Sequence, residues 1–488
     1  MILALLAIPT ISGFVAFFVK LPWLNRALLI AAGAAHALLT VLCWCSAPSP
    51  ALGGWLALDA LGLLFLSIVS LLFLMASIYR VGLRAEAVRR TDFDEGFLFT
   101  NAPEATFCGC MLLFLATMTL VCVSRQFGIL WVAVEATTLA SAPLIFFHRH
   151  RRSLEAAWKY LLICSVGIAL ALLGNFFLAV AQPQQGAGGS MLLAELIDRA
   201  RMGAMNATWL KAAFVLLVVG YGTKMGLAPM HTWLPDAHSE SPSVVSALLS
   251  GALLNCAFLA ILRSQQVLAA AGLALFGQEM LLLLGLLSMA MAATFIVGQP
   301  DYKRLLAYSS VEHMGILAVG VGLGGVAVFG SMFHAINHSL AKGMLFFVAG
   351  NILSAYRTKH AAEVSGLLRR LPMSGILWVA GLFAITGSPP FATFLSEFTI
   401  LSAALGQGRF VVAVLYLVFL AIAFAGMAVA MLRMAQGSGQ KQEADRREAA
   451  LAVIPPAILA AAVLALGLFV PSRLADLLKA AAAAVGGV

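Results

Sequence analysis

Hydrophobic residues along this chain come in long runs rather than at alternating or every third and fourth positions. A run of about 18–25 residues spans a ~30 Å hydrocarbon core at ~1.5 Å per residue. Fourteen such runs can be placed, near 1–19, 27–45, 56–79, 106–123, 127–147, 157–180, 212–230, 243–262, 279–298, 304–322, 328–353, 374–401, 410–434 and 450–470. Polar loops run from Arg80 to Asn101 and from Gly437 to Glu448, and the connector from Gln182 to Met205 carries one amphipathic turn, LLAELIDRA. The pattern predicts an all-α polytopic membrane protein with about 14 transmembrane helices.

Two runs are interrupted. The seventh holds Lys224 and is broken five residues later at Pro229, and the twelfth is broken at TGSPPFATFLSEF, Thr386 to Phe398, with Glu397 beyond the prolines. A helix broken within the hydrocarbon persists only where its freed backbone groups face protein or a water-filled cavity. The breaks lie five runs apart, an odd offset, so corresponding halves would be inverted, and paired broken helices in inverted repeats point to a transport site near the midplane. The expected organisation is an N-terminal three-helix segment with its loop (1–105), a first five-helix repeat (106–265), a second, inverted one (266–436), and a final loop, helix and tail (437–488).

Composition narrows the class. With 62% hydrophobic and 10% charged residues, the chain is neither a soluble enzyme nor a nucleic-acid binder with a basic soluble domain. The net charge of +9 matters through its distribution. Twenty of the 30 lysines and arginines lie in loops after odd-numbered runs, eight lie after even runs or in the tail, and Lys224 and Lys342 lie inside runs. The positive-inside rule puts odd loops in the cytoplasm and both termini outside. The first run lacks a basic start and reads as a spanning helix rather than a cleaved signal. The seven cysteines form no CxxC pair or Cys/His cluster with metal spacing, so no iron–sulfur or zinc site is expected.

Ionisable residues within the runs carry the candidate chemistry. A charge at membrane depth costs roughly 2.5–3.5 kcal/mol on the insertion scale, so it normally has a partner or a task. Glu135 in the fifth run is tolerable beside Lys224, either as a structural ion pair or as a pair in which the carboxylate sets the proton affinity of the lysine. In the eleventh run His334, His338 and Lys342 recur every four residues and form one stripe about 12 Å long, which reads as a proton or hydration path. Glu312 and His313 are adjacent in the tenth run and point about 100° apart, so both need not face one path. Glu397 reads either as an exit or entry carboxylate or as a cap on the restarting half-helix. Past the seventh run, His231, Asp236 and His238 form either a cytoplasmic entrance or a stabilised turn. His36 and His360 have no companions, and His148 and His150 belong to a basic loop; none of the four is assigned a role.

The segments GTKMGLAPMHTWLPDAHSESPSVVSALLSG, YSSVEHMGI, HAINHSLAKGMLFFVAGN and TGSPPFATFLSEF resemble the antiporter-like proton-translocating membrane subunits of complex I, of group 4 [NiFe] hydrogenases and of multisubunit sodium/proton antiporters. WVAVEATTLASAPLI and YSSVEHMG look nearest to the hydrogenase-4 F subunit branch. The resemblance implies fourteen core helices, two inverted five-helix repeats and a midplane chain of ionisable residues, with Glu135, Lys224 and Glu397 at family positions. One departure stands out: relatives often carry a lysine or histidine in the eighth helix, where this chain has Asn255. Asparagine does not exchange a proton near neutral pH, so the central connection falls to His334, His338, Lys342 or water. The short tail after the last run lacks the long lateral helix of the largest complex I relative, as expected of an interior or short-type subunit.

The combined reading is a multi-pass bacterial-type inner-membrane subunit that moves protons, or sodium, within a redox-driven complex. It holds no cofactor of its own. Its partners are other membrane subunits, the lipid bilayer and a soluble arm with iron–sulfur clusters and a NiFe or flavin centre; nucleic acid is not among them. A secondary sodium/proton antiporter subunit and a non-conducting membrane anchor remain the alternatives.

Overall fold

The computed structural model describes residues 1–82, 103–183, 189–437 and 448–487. Arg84, Arg89, Arg90, Lys441, Arg446 and Arg447, which enter the charge count above, lie outside the described residues. Among the described residues twenty α-helices follow one another: α1 (Ile2–Phe18), α2 (Pro22–Cys45), α3 (Ala60–Gly82), α4 (Glu104–Val123), α5 (Phe127–Ile145), α6 (Arg151–Val180), α7 (Leu193–Arg201), α8 (Ala207–Met225), α9 (Trp233–Glu240) and α10 (Ser243–Leu248). Then come α11 (Leu254–Ala270), α12 (Ala274–Ile296), α13 (Tyr302–Leu323), α14 (Val326–Tyr356), α15 (Leu367–Arg370), α16 (Pro372–Ile385), α17 (Ala392–Gly406), α18 (Phe410–Ala435), α19 (Ala450–Leu468) and α20 (Ser472–Ala483). There is no strand among the described residues, and eleven helical segments among them are long and apolar enough to cross a membrane.

Burial sorts these helices into a centre and a rim. The segment from α10 to α11 and helix α13 are buried throughout their apolar windows, whereas the window of α18 is only 22% buried and turns Leu, Val and Phe side chains outward. An apolar outer face fits hydrocarbon, while the inner helices carry the histidines, lysines and carboxylates. Close helix approach depends on small residues, as is usual in membrane bundles. A Cβ on Gly167 of α6 would lie 2.6 Å from the Thr223 side chain, and one on Gly220 of α8 would lie 2.5 Å from the Gly167 carbonyl oxygen. That intimacy of α6 and α8 sets Tyr160 of α6 against Lys224 of α8.

Both interruptions are real, with shifted details. Helix α8 ends at Met225, four residues before Pro229, because Gly226 adopts a left-handed conformation (φ +85°) and the Gly226 and Leu227 N–H groups turn back to the Thr223 and Gly222 carbonyls. The unwound stretch is satisfied by protein: Ala228 N–H donates to Ser288 Oγ at 2.9 Å, and Trp233 Nε1–H donates to the Thr223 carbonyl at 2.8 Å. At the second break, α16 stops at Ile385, Gly387 takes φ +62°, and α17 restarts at Ala392. The capping reading of Glu397 is thereby corrected. It lies in the second turn of α17, whose first turn has no acidic residue and whose N-cap, Phe391, makes no side-chain bond.

Other boundaries also differ. The sixth run starts at Arg151, so Lys159 is helical, and the turn in the connector is a nine-residue helix, α7. Helix α20, amphipathic and not expected from the sequence, follows the last long helix.

Candidate functional site

Glu135 and Lys224 are joined through a hydroxyl. Lys224 Nζ donates to Thr138 Oγ1 at 2.7 Å, and Thr138 donates to Glu135 Oε2 at 3.3 Å. Helix geometry explains this, since Thr138 sits three residues after Glu135 on the same face of α5. Ser165 of α6 donates to Glu135 Oε1 at 3.1 Å. Lys224 Nζ also donates to Tyr160 OH at 2.6 Å, and that hydroxyl is paired with Ser141 Oγ at 2.6 Å. The ammonium is fully buried and sits 4.4 Å from the centroid of the Tyr160 ring, so hydrogen bonds and a ring face replace much of its lost hydration.

A second polar group lies where α10 passes into α11. One π-type turn, Leu249–Leu253, loosens the backbone, and the Gly251 carbonyl accepts from both Asn255 Nδ2 (3.0 Å) and Ser339 Oγ (2.8 Å). Asn255 Nδ2 also donates to Ser339 Oγ at 2.7 Å. Ser250 and Ser310 hydroxyls meet at 2.8 Å, Ser310 donates to the Leu306 carbonyl, and Lys342 Nζ donates to that same carbonyl at 2.7 Å. Among the described residues no direct hydrogen bond connects the Lys224 group to this one.

The third group gathers residues from α13, α14 and α17. His313 Nδ1 and His334 Nε2 are 2.8 Å apart, and His334 Nδ1 is 3.0 Å from Ser396 Oγ. His338 lies with its ring centroid 5.0 Å from that of His313, and both its nitrogens are buried without a protein partner. Glu397 is buried with Oε1 unpartnered. Of the adjacent pair in the tenth run, His313 thus faces the stripe on α14, and Glu312 is also buried.

The three entrance candidates separate. Asp236 lines a 520 Å³ crevice with Lys159, Arg304, Glu240, Asp301 and Lys359, and pairs with Lys159 at 2.9 Å and Arg304 at 3.0 Å. His238 points inward, buried, stacked on Phe346 at 5.0 Å, with both ring nitrogens unpartnered. His231 is buried elsewhere, 6.4 Å from the Tyr308 ring. In the loop before α6, burial and the nearby Lys303 and Lys359 ammonium groups push the His148 imidazole down to about 3, so it is neutral at physiological pH.

Several side chains escaped the sequence reading. Thr138 was detectable from its spacing to Glu135, but Tyr160, Ser396 and Ser339 come from other helices and gave no local signal. Lys303, counted as a loop charge, is buried and donates to the Ser239 and Ser241 carbonyls at 3.1 and 2.6 Å. His36, read as lacking companions, is held by Ser70 and Thr119, both at 2.9 Å, and ties α2 to α3 and α4. His150 caps α6 through its Nδ1, which accepts from Ser153 N–H.

Residues 124–425, more than half of the chain, match the family described as NADH:quinone oxidoreductase/Mrp antiporter, TM. The chain belongs to that family. It is 38% identical over 362 residues to the hydrogenase-4 component F homolog of Methylacidiphilum infernorum, covering 74% of this chain and 75% of the relative. The fold is shared with a chain of the archaeal membrane-bound sulfane sulfur reductase (TM-score 0.86, 21% identity, 100% and 98% of the two chains covered). It is also shared with a chain of the Mrp complex of Dietzia sp. (TM-score 0.85, 20% identity, 98% and 96% covered).

Proposed function

We propose that this chain is a proton-translocating, antiporter-like subunit of a redox-driven membrane complex of the hydrogenase-4 or complex I kind. The observation that carries this reading is the set of interior ionisable side chains, Glu135, Lys224, Lys342, His338, His313, His334 and Glu397, dressed by hydroxyls and distributed over both halves of the chain. Glu135 is only partly buried, and the others are buried. A protein that used its interior only for support would have little reason to bear the cost of so many.

In this reading, electron transfer in a partner arm moves Glu135 relative to Lys224. The two groups communicate through Thr138, so a small displacement changes the proton affinity of the lysine. Protons then pass by water, Lys342 and the histidines toward Glu397, with Asn255 holding Ser339 rather than carrying a proton. Asp236 and its crevice serve as the cytoplasmic approach, with His238 and His231 behind it. The chain has about fourteen spans, ten of them in two inverted five-helix repeats, 106–265 and 266–436, lies in the cytoplasmic membrane and has both termini outside. Partner subunits carry the iron–sulfur and NiFe or flavin centres.

The alternation of sides draws support from three ion clusters, each of which gathers basic residues from loops of one parity. Arg26 and Arg80 share Glu104, Lys159 and Arg304 share Asp236, and Arg125 and Arg263 share Asp59. A second reading, a sodium/proton antiporter subunit, draws on the likeness to the Mrp chain. Purification of the tagged protein in mild detergent with identification of its companions distinguishes the two. Co-purifying [NiFe], iron–sulfur or NADH- or quinone-reducing subunits fit the redox pump, whereas small antiporter subunits without redox proteins overturn it in favour of the second reading.

A further inference from the structure

Three metal-ligating side chains converge from three helices that no sequence spacing connects. One potential ligand atom from each of His313, His334 and Glu397 lies within 4.8 Å of the others, and all three residues are buried. The hydrogen-bond network positions both imidazoles. Ser396 Oγ lies 2.8 Å from the Thr393 carbonyl and 3.0 Å from His334 Nδ1, and so holds the outer nitrogen of that ring. His334 Nε2 and His313 Nδ1 face each other 2.8 Å apart, so the two imidazoles share one proton and one of the two nitrogens offers a lone pair. A metal-ligating histidine is normally oriented in this manner, through a hydrogen bond from its other nitrogen.

Glu397 supplies the second, independent observation. Its Oε1 is buried and unpartnered, while the space for its Oε2 exists because residue 387 is glycine: a Cβ there would lie 1.9 Å from that oxygen. A buried carboxyl oxygen without a partner, close to two imidazole nitrogens, is a place where a cation can be held.

We propose that His313, His334 and Glu397 form a site for a divalent transition-metal ion, with Zn²⁺ the best match, that competes with the proton shared by the two histidines. Two nitrogens and one carboxylate with an open position form a set that zinc accepts, whereas Mg²⁺, Ca²⁺ and Na⁺ favour oxygen ligands. On binding, the proton between His313 and His334 moves to an outer ring nitrogen, so that both facing nitrogens offer lone pairs, and Glu397 binds as the carboxylate, releasing to water any proton it carries. The two nitrogens need separate only to about 3.3 Å for tetrahedral bonds of ~2.0–2.1 Å. The ion then occupies both the shared-proton position and the carboxylate, and proton traffic through them stops. The blocking effect rests on the proposed function; the metal site itself does not.

The test uses the assembled complex that contains this chain, exposed to Zn²⁺ and desalted, with zinc counted by mass spectrometry and its ligands read by X-ray absorption. The expected result is one zinc fewer per complex in His313→Gln and in His334→Gln than in the wild type, and a two-imidazole signature in the difference. Equal zinc content in wild type and variants overturns the site. If the variants fail to assemble, the wild-type spectrum decides, because absence of an imidazole-bound zinc overturns the proposal by itself. Bound zinc with undiminished proton translocation overturns the blocking role. Bound zinc in a complex that never translocates protons supports the site and instead removes the functional reading on which the blocking role rests.

Discussion

At the residue scale, Lys224 and Glu135 are joined through Thr138 and not by direct contact, and this makes the hydroxyl the position to test. Thr138→Val keeps the shape and removes the bridge between Nζ and Oε2. Proton translocation in reconstituted vesicles is expected to fall about 10-fold or more, on the scale of one lost charge-assisted hydrogen bond of ~1.5–3 kcal/mol, with assembly retained. Unchanged translocation would deny the bridge a role. A different residue governs stability. Burial alone would raise the Asp59 carboxyl, but Arg263 and Arg125 outweigh it and hold it well below the usual carboxylate range. Asp59→Asn leaves the buried Arg263 unpaired and should cost about 3 kcal/mol, the low end for a broken buried pair because the Asp59 side chain is itself 25% exposed. A depressed folded-state value means that the stabilisation is fully present above the ordinary value of 3.8 and is lost as pH falls below it. Thermal unfolding of the detergent-solubilised protein at pH 7 and pH 3 checks both statements, since the difference between wild type and variant should shrink at the lower pH.

At the element scale, the two breaks were legible because glycine and proline interrupt apolar runs, yet their ends were not. Pro229 is conspicuous in the sequence, but Gly226 ends the helix, because a left-handed residue lets the last carbonyls be satisfied locally. Glu397 looked able to cap a restarting helix, and its place in the second turn of α17 follows from the restart at Ala392. Gly387 joins the second break to the carboxylate. Gly387→Ala has both a left-handed backbone and a Cβ 1.9 Å from Glu397 Oε2 to accommodate, so a destabilisation of at least ~1–2 kcal/mol is expected, together with reduced proton translocation. Wild-type values for both in the alanine variant would mean that the carboxylate is not held where it lies. The stripe on α14 was legible from its four-residue spacing. Its meeting with His313 was not, since that contact depends on how α13 and α14 pack.

At the scale of the whole molecule, membrane class and helical architecture followed from apolar runs too long for any soluble core, and the family followed from long stretches such as those around Lys224 and His338. Cross-helix pairings resisted prediction because a partner far along the chain leaves no periodic trace: Tyr160 beside Lys224, Ser396 beside His334 and Ser339 beside Asn255 are all of this kind. These pairings put groups that exchange or orient protons into both halves of one buried interior, which is the arrangement a coupled pump requires. The most direct measurement is the ratio of protons translocated to electrons transferred in proteoliposomes of the assembled complex, for wild type, Lys224→Ala and Glu135→Ala. A pumping subunit predicts that the ratio collapses in both variants while electron transfer in the soluble arm largely persists; an unchanged ratio in both would contradict it.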